Sequence, residues 1–199
     1  MNSLSTSAPW STHQLKAHLI SHVAMPSLVH AAMQNLDKQI WKSRITILTK
    51  LKLYNTCILP IFLYGSECWA VTKRDVLKID ALDQWCLQKL LGIKWYQHVR
   101  NDELRRTTGQ PRLSAIVQAR RLSLFGHIAR MPDETDGWSI ITASPSENWR
   151  KPPGRPRTTW MKSIQQDLRS NNLSLDEAIN VAQNRPLWRV MSAFGATHT

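Results

Sequence analysis

Apolar side chains along this chain recur at spacings of three, four and seven, and residues 112–131, RLSAIVQARRLSLFGHIARM, carry the pattern furthest. On a helix, Leu113, Ile116, Val117, Leu124 and Ile128 share one face, while Leu122, Phe125 and Ala129 lie nearly opposite. A helix that is apolar on two sides is packed on two sides, so this stretch is predicted to be a central helix. Arg120 and Arg121 sit at the edges of the first face. A guanidinium there must reach water, a carboxylate or a phosphate, because an unpaired buried charge is very costly. Gly126 inside the helix costs about 1 kcal/mol relative to alanine, which is tolerated where another group approaches the backbone closely.

The remaining elements are also helical in pattern. Residues 1–30 have no clear period and read as a flexible or weakly helical lead-in, without the basic start and long apolar run of a signal peptide. Within residues 31–56, Leu36, Ile40, Ile47, Leu48 and Leu51 form an apolar stripe, with a break at Ser43, Arg44 and Ile45. Residues 57–65, CILPIFLYG, are the most apolar run. They fall short of the roughly 20 residues a bilayer needs and read as core, with Pro60 kinking a helix or starting a new turn. Thr72 is predicted to cap a helix with Asp75 at its third position, Val76, Ile79, Leu82, Cys86 and Leu90 on one face, and Gly92 as terminator. A short element opens at Asn101 and closes at Gly109, and Pro111 leads into the central helix.

Residues 132–158 change character, with five prolines and two glycines, and read as an irregular connector. The tail, 159–194, is helical again. Thr158 or Thr159 caps a helix striped by Trp160, Ile164 and Leu168, a stripe that predicts burial of Trp160. Asn171 and Asn172 turn the chain, and Ser174 and Glu177 form a capping box. Pro186 opens a last helix carrying Trp188, and residues 195–199 are a disordered end. With no strand alternation, the fold class is all-α: a helical bundle at 31–131, a Pro-containing connector and a small helical tail.

Charge changes this picture. The formal net charge is +12, from 26 Lys and Arg against 14 Asp and Glu. Residues 31–131 carry 17 basic and 7 acidic side chains, whereas residues 132–199 carry 8 and 7. A cationic middle favours an anionic partner, with nucleic acid first and an acidic membrane surface second. The nine tryptophans can bury large apolar areas, and any that are exposed can stack on bases. Cys57, Cys68 and Cys86 have neither a disulfide framework's count nor a C-x-x-C spacing, so no zinc site is expected even with His98 and His127 nearby. Reduced thiols in an intracellular setting are the simplest reading. The run Lys151, Pro152, Pro153, Gly154, Arg155, Pro156, Arg157 matches either a solvated linker or an extended segment for a narrow A·T-rich minor groove.

Taken in order, several of these pieces resemble a known family. Ile58, Leu59 and Pro60, followed by Tyr64, Gly65, Ser66, Glu67, Cys68 and Trp69, resemble the LP-x-LLYG-x-E-x-W stretch of non-LTR (LINE-type) retrotransposon reverse transcriptases, just downstream of the catalytic palm. Leu91-Gly92-Ile93, Arg121-Leu122 with Phe125-Gly126-His127-Ile128-Ala129-Arg130-Met131, Gly154-Arg155-Pro156-Arg157 with Trp160, and Asn184-Arg185-Pro186-Leu187-Trp188-Arg189 follow in the family's order. The resemblance spans about residues 31–194. It implies the thumb-like region and the tail beyond it, which hold template and primer without performing chemistry.

The palm's paired aspartates are missing: no two aspartates are adjacent, and Asp75, Asp80 and Asp83 read as solvated positions on a capped helix. Two-metal phosphoryl transfer needs clustered carboxylates, so no catalytic residue, metal or cofactor is expected. The expected function is non-catalytic binding of RNA or DNA, with the remainder of a reverse transcriptase as a further partner and no membrane. Phosphate contacts are expected from Lys50, Lys52, Lys73, Arg74, Arg105, Arg106, Arg120, Arg121, Arg155 and Arg157. Two other readings stay open: an independent A·T-rich DNA-binding protein using the Gly-Arg-Pro segment, and a transposon remnant without function.

Overall fold

The computed structural model describes residues 25–132, 134, 135, 137 and 158–197. These residues contain helices and no strand, so the chain is all-α.

Helix α1, Met25–Asn35, begins inside the stretch read as a lead-in and buries Val29 and Met33, four residues apart. A π-helical turn at Asp37–Trp41 follows, and the Trp41 indole N–H donates to the Met33 carbonyl at 3.0 Å. The chain breaks at Lys42, Ser43 and Arg44. Thr46 then caps α2, Ile47–Leu53, by accepting the Thr49 N–H. Helix α2 runs through a π-helical segment, Tyr54–Ile58, into α3, Leu59–Leu63. Pro60 in the first turn of α3 has no N–H to offer, and the helix widens just before it. Gly65 takes a left-handed conformation (φ 65°), and a 3₁₀ turn at Ser66–Cys68 follows.

Helix α4, Lys73–Leu91, is bounded as its local sequence requires: a Thr72–Asp75 capping box opens it and left-handed Gly92 closes it. Helix α5, Asn101–Thr108, ends at left-handed Gly109. Helix α6, Leu113–Ile128, is the central helix, about 24 Å long at 1.5 Å per residue. In the tail, Thr159 caps α7, Trp160–Ser170, and a Ser174–Glu177 capping box opens α8, Leu175–Gln183. Helix α9, Arg185–Thr197, begins with Arg185 and Pro186.

Two apolar cores share α6. The first is built from α1 to α5 and takes Leu113 and Val117 from the start of α6. The second takes Leu122, Phe125, Ile128 and Ala129 and covers them with Ile164, Leu168, Ala178, Ala182 and Trp188 from the tail. The central helix is therefore divided along its length, not into two opposed faces as its pattern predicts. Polar contacts tie the two cores together. Val71 N–H donates to Ser163 Oγ at 3.1 Å, and the Trp160 indole N–H donates to the Glu67 carbonyl at 2.8 Å. Trp160 is half-buried, less deeply than its stripe predicts, and is held to the first core by that bond.

Two further expectations are corrected. Ile47 and Leu48 belong to a predicted apolar stripe but are 45% and 73% exposed, because only Leu51 of the α2 stripe meets the first core. The aspartates of α4 are not solvated. Asp75 is buried in the Thr72 cap, and Asp83 is buried with the Tyr54 hydroxyl donating to it at 2.6 Å. Asp80 accepts from the Ser114 N–H and hydroxyl at 3.0 and 2.9 Å. These carboxylates serve caps and inter-helix bonds, which their helical spacing alone does not distinguish from a polar outer face.

Candidate nucleic-acid interface

Of the ten cations expected to touch phosphate, the fold leaves some in solvent and commits others internally. Lys52, Lys73, Arg74 and Arg106 are exposed. Arg120 is 45% exposed, with its Nε 3.4 Å from Glu67 Oε2. Lys50 is half-buried and donates to the Trp41 carbonyl at 2.6 Å. Arg105 donates through Nη1 to the Pro111 carbonyl at 2.7 Å and pairs through Nη2 with Asp83 at 2.6 Å. Arg121 is buried, its Nε and Nη2 donating to Asp167 Oδ2 at 2.9 and 2.7 Å. The phosphate expectation is therefore corrected for Arg105 and Arg121, which are drawn in against the carboxylates of Asp83 and Asp167 and, for Arg105, the Pro111 carbonyl. Arg155 and Arg157 lie outside the described residues.

The carboxylates tell the complementary story. Among the seven acidic residues between 31 and 131, Asp37 pairs with Lys42 and Lys89, Glu67 lies against Arg120, and Asp75, Asp80 and Asp83 are engaged as above. Only Asp102 and Glu103 stand exposed, in the first turn of α5, where they complement the helix dipole. On the same stretch, Lys42, Arg44, Lys52, Lys73, Arg74, Lys78, Lys94, Arg100, Arg106, Arg112 and Arg120 are exposed. Among the described residues of this stretch, eleven exposed cations face two exposed carboxylates, so the exposed charge is strongly positive.

The buried acids feel this placement. Burial pushes the Asp83 carboxyl above its ordinary range, against the pull of the Tyr54 hydroxyl and Arg105. Burial does the same to Asp167, against Arg121. At the surface, the hydrogen bond from Lys42 holds Asp37 below the usual carboxylate value.

Two clusters of exposed groups form. The hydrogen bond between Val71 and Ser163 sets the first turns of α4 and α7 side by side, and the exposed cations Lys73, Arg74 and Lys162 lie within three residues of it. The second is a shallow depression of about 390 Å³ lined by Pro60, Leu63, Tyr64, Gly65, Glu67 and Arg120. Tyr64 there is 79% exposed. Sequence reasoning missed Tyr64 because it sits inside the most apolar run, and it missed Lys42, Arg44, Lys78, Lys94, Arg100 and Arg112 because exposure has no signature at a single lysine or arginine.

Among the described residues, no group of three or more His, Cys, Asp and Glu side chains is placed to hold a metal ion. Cys57 and Cys68 are exposed and unpaired, while burial pushes the Cys86 thiol up to about 12. No helix among the described residues is long and apolar enough to cross a membrane.

These features define an all-α protein with two cores on one shared helix and a cationic surface. Over 148 residues the chain is 26% identical to an uncharacterized transposon-derived protein of Caenorhabditis elegans, an alignment covering 70% of this chain and 52% of that protein. The chain thus spans about half the length of the relative it matches. This similarity supports a transposon-related origin. No family model matches the chain, and no solved structure matches it.

Proposed function

We propose that this chain is a non-catalytic nucleic-acid-binding module derived from the region downstream of the palm in a non-LTR retrotransposon reverse transcriptase. The observation that carries the reading is the charge distribution on residues 31–131: five of the seven carboxylates are engaged by groups of the fold, while Lys52, Lys73, Arg74, Arg106 and Arg120 are among eleven exposed cations. The transposon-derived relative supports the origin, and the order of the sequence motifs supports the reverse-transcriptase assignment. Surface cations of this kind give affinity and little sequence choice.

The test is a titration against single-stranded RNA, hybrid and duplex DNA across a range of salt. Binding is expected to weaken steeply, with a slope of log K against log salt of about 0.9 per phosphate contacted on duplex and about 0.7 on single strands. Replacing Lys73 and Arg74 together is expected to lower that slope by about two contacts' worth. A salt-independent affinity, or an unchanged slope in a folded double variant, would remove these residues from the interface. A slope that falls on A·T-rich duplex alone when Arg155 and Arg157 are replaced would favour the minor-groove reading.

The same preparation tests the non-catalytic assignment. Asp75 is taken up by the Thr72 cap, Asp80 by the Ser114 N–H and hydroxyl, and Asp83 by Tyr54 and Arg105, whereas two-metal chemistry needs carboxylates available to hold the ions. No primer extension is expected with Mg²⁺ or Mn²⁺. Template-dependent incorporation that survives rigorous purification would overturn the assignment.

A further inference from the structure

We infer that Tyr64 is a stacking platform for one unpaired base and that Arg120, on the wall of the same depression, receives an adjacent phosphate. The inference rests on the nucleic-acid reading above and deepens it by naming unpaired strands as the ligand.

The local sequence explains why the ring is outside. Phe62 and Leu63 enter the core at the end of α3, and the chain then turns extended at Tyr64 (φ −62°, ψ 118°) before left-handed Gly65. Only a residue free of a Cβ adopts the Gly65 conformation readily. The turn delivers the 3₁₀ segment to α6 and leaves the Tyr64 ring facing solvent. A lone exposed aromatic is ordinary on a protein surface. Here it borders a depression whose other walls are the apolar Pro60 and Leu63 and the charged Glu67 and Arg120. At about 390 Å³ this space lies at the small end of ligand pockets, with room for a planar ring system.

Arg120 is oriented for the second half of the task. Glu67 approaches its Nε at 3.4 Å, an ion pair without a hydrogen bond. The side chain is 45% exposed, and among the described residues its pairing with Glu67 runs through Nε and not through the terminal nitrogens. A guanidinium steadied along one edge and open along the other suits a phosphate oxygen. An aromatic face beside a cation is what a base and its backbone require when no complementary strand covers the base. A duplex, whose bases are stacked internally, has nothing to offer Tyr64.

The test uses the full chain and fluorescence-labelled single strands of RNA and of DNA, each with a matched abasic strand, plus a duplex control. Tyr64→Ala is expected to weaken binding to base-bearing strands on the order of tenfold while leaving the salt slope, the abasic strand and the duplex at wild-type values. Tyr64→Phe should bind as wild type, since the ring face is kept. Arg120→Gln should instead reduce the salt slope on single strands by about 0.7. Circular dichroism confirms folding, which the exposure of both side chains should preserve. Wild-type affinity of Tyr64→Ala for every strand, or an equal loss on base-bearing and abasic strands, would overturn the stacking role while the salt-dependent interface stands. An unchanged slope in folded Arg120→Gln would overturn the phosphate role. Absence of any salt-dependent binding by the wild-type chain would overturn both readings together.

Discussion

Arg121→Ala is expected to destabilise the chain by about 3–5 kcal/mol, the loss typical of removing one partner from a buried ion pair. The Arg121 side chain is 5% exposed and that of Asp167 is 12% exposed, and two guanidinium nitrogens converge on one carboxylate oxygen. The pair joins the central helix α6 to the tail helix α7 between the two cores. Without the guanidinium, Asp167 must carry an unpaired buried charge or take up a proton. Burial already pushes its carboxyl upward against Arg121, so the variant should protonate it more readily still. A carboxyl whose folded pKa lies above its unfolded one binds more protons in the native state, and stability then falls as pH rises through the interval between the two values. The deficit of Arg121→Ala should therefore be largest near neutrality and smaller in mild acid. Urea unfolding at the two conditions reads this directly. Arg121→Met with Asp167→Leu should recover most of the loss, because neither charge is then left alone. A midpoint for Arg121→Ala equal to wild type at neutral pH would show that the pair is dispensable.

Gly126→Ala is expected to destabilise by about 1–3 kcal/mol, the usual cost of overpacking, and more if the ring cannot shift. Helix propensity alone predicts the opposite sign, a gain of about 1 kcal/mol. The conflict is settled by Trp188: a Cβ built on Gly126 falls within its indole ring. That ring is 4% exposed, and its Nε1–H donates to the Leu122 carbonyl at 2.9 Å. Moving it would uncouple α9 from α6 and surrender the burial of a large aromatic, a loss of about 3–5 kcal/mol when complete. Thermal unfolding gives the sign. A stabilised Gly126→Ala would mean that the indole is elsewhere. The double variant with Trp188→Ala should lose less than the two single losses added, since both act on one contact.

The parts of the fold legible in the sequence are those governed by neighbours within one helical turn. Thr72 with Asp75 and Ser174 with Glu177 form the capping boxes their spacing requires, and the hydrogen bonds from Ser174 hold Glu177 below its ordinary pKa. Gly92 and Gly109 terminate helices in the left-handed conformation that a Cβ resists. The break near Ser43, the helix start at Pro60 and the close approach at Gly126 follow from equally local signals. Less was legible in the candidate interface. Lys52, Lys73, Arg74, Arg106 and Arg120 are where a surface cation should be, but nothing local separates them from Arg105 and Arg121.

The sequence by itself determined an all-α chain, the bounds of most of its helices and a strong excess of positive charge, because periodicity, caps and composition act over a few residues or none. Tertiary structure decided how α6 is shared between two cores and which charges face solvent. The partner of Arg121 lies 46 residues away, that of Tyr54 29 residues away and that of Trp188 66 residues away. Burial of Asp83 is likewise set by what stands against it from distant parts of the chain, Tyr54 and Arg105. A side chain's own identity fixes what it can bond; only the folded chain fixes what stands within reach.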